Sequence, residues 1–550
     1  MNISNIGMTA VFASQARILT TSNNISNAST DGYNRQEAIT TTEGEMATSS
    51  GFFGRGVRVS TVERAYDSFL NTQLVKSQSK GASLEAYSQQ ITQINNLLSD
   101  RSVGISPTMQ KFFDGVQAVA SAPYDASARQ EMLSRADSMI GQFNDVNAFL
   151  NSQRDGINTE IQTSIIQINS HAQRIADLNV QIKMQQTATG QPPNDLLDQR
   201  DREVSSLNKI VRVNTIVQDN EYSLTIGNGQ VLVSGQSAFA LNAKPSAADP
   251  RDYTLFAATP TGNGLGTVDV PIDSSKIDGG SLGGLLQYRE GPLSQIQRNL
   301  GRVAMGLGLA MNAQQAQGLD LNGLAGQPIF SIGKPDVIAS GNNRGGGSVT
   351  ALIDPAGAAA LKASDYSIRY DGTNYVVTRM PEKADVYMST SLSNVTIDGV
   401  IMDITGAPIA GDMWSIKPTR DGAGKIQMVM TAPSGVAAAS SAGGTNNGDN
   451  ALVMAKLQTK KILEGGTIGL NEGYSRVVNM VGIAAQQNEV ASKAQQTLIQ
   501  QNLSSQQGVS GVNLNEEYVN LTRFQEQFQA AGKILDVVGT LFNTIISLNR

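Results

Sequence analysis

Few side chains in this sequence stand in a pattern that could run a reaction. His171 is the only imidazole in 550 residues. A multi-histidine metal set is therefore out of reach, and no Ser-His-Asp relay can be assembled around a lone histidine on a helix. The expectation for His171 is an exposed or edge position. Asp195, Asp198 and Asp201 recur three residues apart, which aligns carboxylates on one helical face as a hard-cation site would. Arg200 and Arg202 interleave with them, and this favours a salt-bridged first turn at the positive end of a helix dipole. Gly345-Gly346-Gly347 follows Arg344, and Gly262, Gly264 and Gly266 alternate. Neither run has the Gly-Lys-Ser/Thr or the strand-to-helix setting of a phosphate loop, so both read as flexible loops. No carboxylate pair sits in a recognisable glycosidase motif. The expectation is a chain with no catalytic residue, no metal and no cofactor.

What remains is patterning. Towards the C-terminus, Leu514, Tyr518, Leu521, Phe524, Phe528, Ala531, Leu535, Val538, Phe542, Ile545 and Leu548 follow at steps of three and four, the spacing of a coiled-coil seam. Asn513 or Asn515 can cap this helix, with Glu516 and Glu517 in its first turn. A helix running on to Asn549 would be roughly 50 Å long at about 1.5 Å per residue, and it cannot bury its own stripe. Three aromatics close together on one such seam, Tyr518, Phe524 and Phe528, are costly to leave wet. Near the N-terminus, Ile3, Ile6, Ala10 and Ala13, with Val11, Ile18 and Ile25 at steps of seven, give a stripe of small and medium residues that invites close approach of another helix. The C-terminal seam is the obvious candidate. Asn23 to Tyr33 is rich in amides and hydroxyls and ends in Asp31-Gly32, so the helix should stop and the chain reverse there.

Between these ends the period changes repeatedly. Residues 37–65 are mixed, with a short strand at Val57 to Val59. Helical spacing returns from Tyr66 to Leu98, interrupted near Gly81, and again from Pro107 to about Ala122. The longest helical pattern spans about 127–186, with Gly156 as a candidate break, and Asn194 reads as the cap of the next helix. Alternation by two from Val211 to about Ile272 and again from Ile329 to Pro433 marks two β-rich stretches, with helix from Leu282 to Gln317 and, past a glycine-containing break at 465–473, from Ala451 to Gln506. The implied fold class is mainly α with β insertions, elongated and multidomain. It comprises a terminal coiled-coil region (1–40 and 508–550), a helical rod (41–210, 281–328 and 445–507) and two β-rich insertions (211–280 and 329–444).

Composition narrows the partners. A net charge of −6 with 16% charged residues gives no electrostatic reason to expect nucleic acid or an anionic membrane. No run approaches the ~18 apolar residues of a membrane span, and the first residues lack the basic and apolar regions of a Sec-type signal. There are no cysteines. That suits a cytosolic protein that makes no use of thiols, and equally a protein exported to an oxidising space with none to mispair.

The two ends also carry a resemblance. Ser22-Asn23-Asn24-Ile25-Ser26-Asn27 with Thr30-Asp31-Gly32-Tyr33-Asn34-Arg35-Gln36 is similar to the N-terminal signature of the axial proteins of the bacterial flagellum, the rod, hook and hook-associated families. Ser510-Gly511-Val512-Asn513-Leu514-Asn515-Glu516-Glu517-Tyr518, with Asn520-Leu521 and Phe524-Gln525, resembles the other half. The Gly-Tyr-x-Arg-Gln ending, the length and the segment from Asn194 to Asp201 point within that set to the hook-associated protein 1, or hook-filament junction, family.

The resemblance implies a structural subunit that self-assembles helically. Its partners would be hook protein, hook-associated protein 3 and copies of itself in a ring, with unfolded type III export, an export chaperone at the C-terminal helix, and a secreted, extracellular place in the flagellum. The expected assembly residues are Ile3, Ile6, Ala10, Ala13, Ile18, Asn23, Asn24, Asn27, Gly32 and Tyr33 at one end. At the other they are Leu514, Tyr518, Leu521, Phe524, Phe528, Leu535, Val538, Phe542 and Ile545. Another axial protein, such as hook protein or a flagellin-like subunit, is the alternative within this class. A secreted enzyme acting on peptidoglycan is the alternative outside it.

Overall fold

The computed structural model describes residues 3–49, 51–99, 104–227, 229–260, 267–441 and 447–548. Its helices, in chain order, are α1 (Ile3–Asn27), α2 (Ser68–Ser99), α3 (Ile105–Ser121), α4 (Ala126–Thr189), α5 (Asn194–Ile210), α6 (Gly280–Tyr288), α7 (Ser294–Gln315), α8 (Gly422–Lys425), α9 (Asp449–Lys456), α10 (Leu470–Ser510) and α11 (Leu514–Leu548).

α4 is the axis of the body. The Asp125 carboxylate accepts from Ser127 N at 2.8 Å to start it, and Gly190 at φ +68° ends it. Its 64 residues make a rod of roughly 95 Å. Gly156 does not break it: the position has open space around it, and the flanking Ile157 and Ile161 stay in the core. Gly81 does not interrupt α2 either. It lies where α10 approaches so closely that a Cβ would stand 2.7 Å from Ile499, so this glycine serves packing rather than a turn.

The α2–α10 contact is antiparallel and partly polar. Asn488 Nδ2 donates to Leu84 O (3.0 Å), Gln495 Nε2 to Ser77 O (2.9 Å) and Asn502 Nδ2 to Ser77 Oγ (2.6 Å). Amides at steps of seven in a helical seam pin its register, because any slip would leave a buried donor unpaired.

Residues 36–64, read from sequence as mixed, form nested hairpins. Gln36–Thr42 pairs with Val57–Arg64, and Glu45–Thr48 with Gly51–Gly54. The first β region is a four-stranded sheet over 213–238 and a three-stranded sheet centred on Tyr253–Pro260. Tyr222, Leu224 and Ile226 alternate inward as the period of two requires. Gly262, Gly264 and Gly266 lie outside the described residues, as does Asn228 at the turn beside Gly227 and Gly229. This region shares one apolar core with the helices.

The second β region has a core of its own. A five-stranded sheet, in the order Asp336–Ala339, Met413–Lys417, Asp365–Tyr370, Tyr375–Met380, Ala384–Ser389, faces a three-stranded sheet around Val400–Thr405. Trp414, Tyr366, Ile368 and Met402 fill the space between them. The triple glycine at 345–347 is a loop, though an anchored one: Arg344 N and Gly345 N donate to the Asp412 carboxylate at 2.8 and 3.0 Å.

Candidate assembly interface

α1 and α11 pack antiparallel. Gly7 lies against Leu535, where a Cβ would come within 2.8 Å of its methyl group; the Arg17 guanidinium sits 5.4 Å from the Phe524 ring centre; Asn24 meets Glu517. The buried positions of α1 are Gly7, Ala13, Ser14, Thr21 and Asn24. Gly7, Ser14 and Thr21 stand seven apart, so the stripe is made of smaller and more polar residues than the isoleucines suggested. Ile3 is exposed, and Ile6, Ala10 and Ile18 are half-buried. A count of small residues at heptad spacing, rather than of apolar ones, would have found this face.

The turn after α1 is a hydrogen-bonded lock. Asn24 Nδ2 donates to Glu517 Oε2 (3.1 Å) and to Gln36 O (2.9 Å), while its Oδ1 accepts from Gln36 N (2.9 Å) and from the Tyr33 hydroxyl (2.8 Å). All four hydrogen-bonding positions of this buried amide, two donors and two lone pairs, are thereby used. Asn23 Nδ2 donates to the Tyr33 hydroxyl at 3.2 Å, and Asn27 bonds back to Asn23 within the helix. Gly32 takes φ +71° and lies under the Arg202 side chain, whose Nη1 donates to Asp31 O at 2.9 Å. Arg35 N donates to Ser510 O (2.9 Å), which ties the turn to the end of α10. Burial, followed by the charges of Asp195, Asp198 and Glu517, pushes the Tyr33 hydroxyl pKa well above its ordinary value, so it stays a donor.

The aspartates of α5 anchor this turn rather than a cation. Asp198 accepts from Asn34 N (3.0 Å) and Asn34 Nδ2 (2.6 Å), and Arg64 Nη1 bridges Asp198 (2.7 Å) and Asp201 (2.6 Å). Asp195 accepts from Gln36 Nε2 at 3.0 Å. The expected partners, Arg200 and Arg202, are engaged elsewhere. Arg200 lies 3.5 Å from the Tyr222 ring centre and donates to Asn179 and to Asn220 O. The reason is geometric: adjacent helical positions point away from one another, so neighbours in sequence are poor partners. Burial works against the Arg64 charge, yet Asp201 and Asp198 hold it firmly ionised. Asn194 is not a cap; it follows the boundary residue Pro193 and donates to Val62 O at 2.7 Å. His171 is half-buried at the helix edge, 2.7 Å from Glu203. Among the described residues, no group of three or more His, Asp or Glu is placed to hold a metal.

α11 is capped as expected by Asn513, whose Oδ1 accepts from Asn515 N at 3.1 Å. Of its residues only Glu517 and Ala531 are buried. Leu521, Phe524, Leu535 and Val538 are half-buried, on a helix whose one packed neighbour of any length, among the described residues, is α1. Leu514, Tyr518, Phe528, Leu541, Phe542 and Ile545 are 40–63% exposed. The helical stretch Leu470–Leu548 contains a window long and apolar enough to cross a bilayer, where the sequence reading found none, and 6% of that window is buried in the chain. On α1 the outward face shows Ile3, Phe12 and Leu19, and the inner hairpin adds Phe52 and Phe53. Exposed aromatic and aliphatic side chains gathered on paired elements in this way are the usual mark of a protein contact surface.

Comparison with known proteins agrees with this architecture. Residues 91–330 match the helical domain of flagellar hook-associated protein FlgK, and residues 338–418 match a D2-like domain of flagellar hook-associated protein 1. The chain is 34% identical to flagellar hook-associated protein 1 of Escherichia coli over 548 residues, with 99% of each chain covered, and 25% identical to that of Bacillus subtilis, covering 98% of this chain and 96% of the other. The flagellar hook junction protein FlgK from Burkholderia pseudomallei superposes with a TM-score of 0.74 at 26% identity, over 80% of this chain and 100% of that one. With two domain models in register and near end-to-end similarity at this identity, the chain belongs to the flagellar hook-associated protein 1 family.

Proposed function

We propose that this chain is the structural subunit of the junction between hook and filament in the bacterial flagellum, and that it performs no catalytic step. It assembles helically with copies of itself, with hook protein on one side and hook-associated protein 3 on the other. It reaches this extracellular place unfolded through the type III export channel, with a chaperone on α11 before assembly. The assembly residues are those of the α1–α11 pair: Asn24, Tyr33 and Glu517 fix the pair's geometry, and Tyr518, Phe528, Leu541, Phe542 and Ile545 meet neighbouring subunits.

The observation that carries this reading is the apolar face of α11, uncovered within its own chain. Full burial of an aliphatic or aromatic side chain contributes about 1.5 to 3 kcal/mol. Five such side chains are together comparable with the roughly 4 to 15 kcal/mol that association costs. Ordering the terminal backbone opposes by about 1 to 2 kcal/mol per residue, so docking and folding of these ends are coupled, and the subunit stays soluble until neighbours are present.

The test is removal of residues 510–550. The expected product is folded and soluble, with the helix content and cooperative unfolding of the remaining body, and it fails to enter the hook-filament junction in cells lacking the intact chain. Incorporation of the truncated chain at the normal level would overturn the reading.

A further inference from the structure

Outside the terminal pair, charge is most concentrated at the boundary between the helical body and the second β region. The loop 246–252 of the first β region is wedged there. Asp249 accepts from Lys417 Nζ at 2.5 Å and from Arg420, and Arg251 bridges Asp336 (2.8 Å) and Asp421 (2.5 Å). Lys425 also meets Asp336, and Gly341 N donates to Ala247 O at 2.9 Å. Asp336 and Lys417 belong to the β region's own strands. Asp249 and Arg251 come from the first β region, and Arg420, Asp421 and Lys425 lie on the segment that packs on α7. The cross-boundary bonds of this cluster are therefore almost all ionic.

Apolar packing across the same boundary is thin. Among the described residues, Met305 of α7 is the one fully buried member of the second β core that comes from outside that region. A cleft of about 730 Å³ opens along the boundary, lined by charged and polar groups including Arg298, Arg302, Lys362, Asp398 and Glu464. Beside these, Arg298 Nη1 reaches Asp365 Oδ2 across the boundary at 3.4 Å, while Asp365 Oδ1 and Arg420 Nε and Nη2 are buried without a hydrogen-bond partner among the described residues. Only two chain segments, near 332–335 and 418–426, join the two parts.

We infer that the second β region is a separately folded module latched to the helical body by this seven-charge clasp, and that releasing the clasp lets the module move as a unit on its two connecting segments. Arg251 and Lys425 are 39% exposed, so their pairs are open to screening, whereas an apolar interface would tighten in salt. This inference stands apart from the junction reading and survives its failure.

The chain has no cysteine and one tryptophan, Trp414 in the module core, which makes the test direct. Spin labels on the exposed pair Ser152→Cys and Ser393→Cys in the full-length chain report the distance between body and module. The expected result is one narrow distance at low salt, with a second, longer population at about 1 M salt, where the screening length falls to ~3 Å. Asp336→Asn produces the same second population at low salt, and Asp385→Asn, an exposed acid of the same module, does not. Trp414 emission stays blue-shifted throughout. A single distance under all conditions, an equal response to Asp385→Asn, or a red shift of Trp414 accompanying the broadening would each overturn the proposal.

Discussion

α4 and α11 carry the same kind of sequence and meet opposite fates. Both place apolar residues at steps of three and four over more than thirty residues, but α4 buries Leu133, Ile140, Phe143, Leu150, Ile157, Ile161 and Ile168 in its own chain, whereas α11 buries Ala531 and the carboxylate Glu517. The difference lies in the neighbours. α4 is surrounded by α3, α5, α8 and both sheets of the first β region, while α11 has one long partner, and a slender one. Periodicity thus states that a face must be covered; it does not state by whom.

The sharpest way to break this comparison is a matched pair of truncations. Phe143→Ala, in the packed core, is expected to destabilise the isolated chain by about 3 to 5 kcal/mol, measured by denaturant unfolding. Phe542→Ala, at a side chain 62% exposed, is expected to shift the same curve by less than about 0.5 kcal/mol and yet to reduce incorporation into the junction strongly. Equal losses of stability at the two sites would mean that α11 is a core helix after all.

The lock between α1 and α5 supplies the next contrast, since it stabilises through polar groups what α4 stabilises through apolar ones. Asp198→Ala removes the acceptor for Asn34 and one of the two carboxylates on a nearly buried Arg64. A cost of about 3 kcal/mol follows, at the low end for a broken buried pair because Asp201 stays in place. Hydrogen exchange should localise the loss to residues 30–36 and 194–202 and leave α4 unchanged. Gly7→Val tests the close approach itself: the added side chain would collide with Leu535 and is expected to cost about 1 to 3 kcal/mol of α1–α11 docking, seen as faster exchange in both helices.

Much of this is legible in the sequence, and each miss has its own physical reason. The long apolar helices, the two β stretches and the turn at Gly32 follow from local periodicity and backbone chemistry, which one sequence displays. The expected breaks at Gly81 and Gly156 did not occur, because a glycine's preference of about 1 kcal/mol is small beside the packing of a helix tens of residues long. The nested hairpins over 36–64 were blurred by Gly51, Gly54 and Gly56 and by polar strand residues that lie mostly exposed. The pairing of Arg64 with Asp198 and Asp201 spans more than 130 positions, and the amide seam at Asn488, Gln495 and Asn502 reaches back to Ser77 and Leu84. Such partners become visible only when two distant segments are laid side by side.

The smallest expected effect concerns Tyr33, and it separates the lock from the apolar face by pH. Its hydroxyl donates to Asn24 Oδ1, and burial together with Asp195, Asp198 and Glu517 raises its pKa above the ordinary value of about 10. A group whose pKa is raised on folding favours the folded state in its protonated form. The contribution of Tyr33 is therefore complete below pH of about 10 and is lost as pH climbs from there towards the higher folded value. Tyr33→Phe is expected to cost about 1 kcal/mol at neutral pH, the worth of one hydrogen bond, and to remove that alkaline loss from hydrogen exchange at Asn24 and Gln36. Phe542 carries no titrating group and makes no contact with this lock, so Phe542→Ala should lower incorporation equally in the native and the Tyr33→Phe backgrounds. If the Tyr33→Phe chain loses protection at Gln36 above pH 10 as steeply as the native chain, the hydroxyl is not what holds the turn, and Asn24 with Glu517 carries it alone.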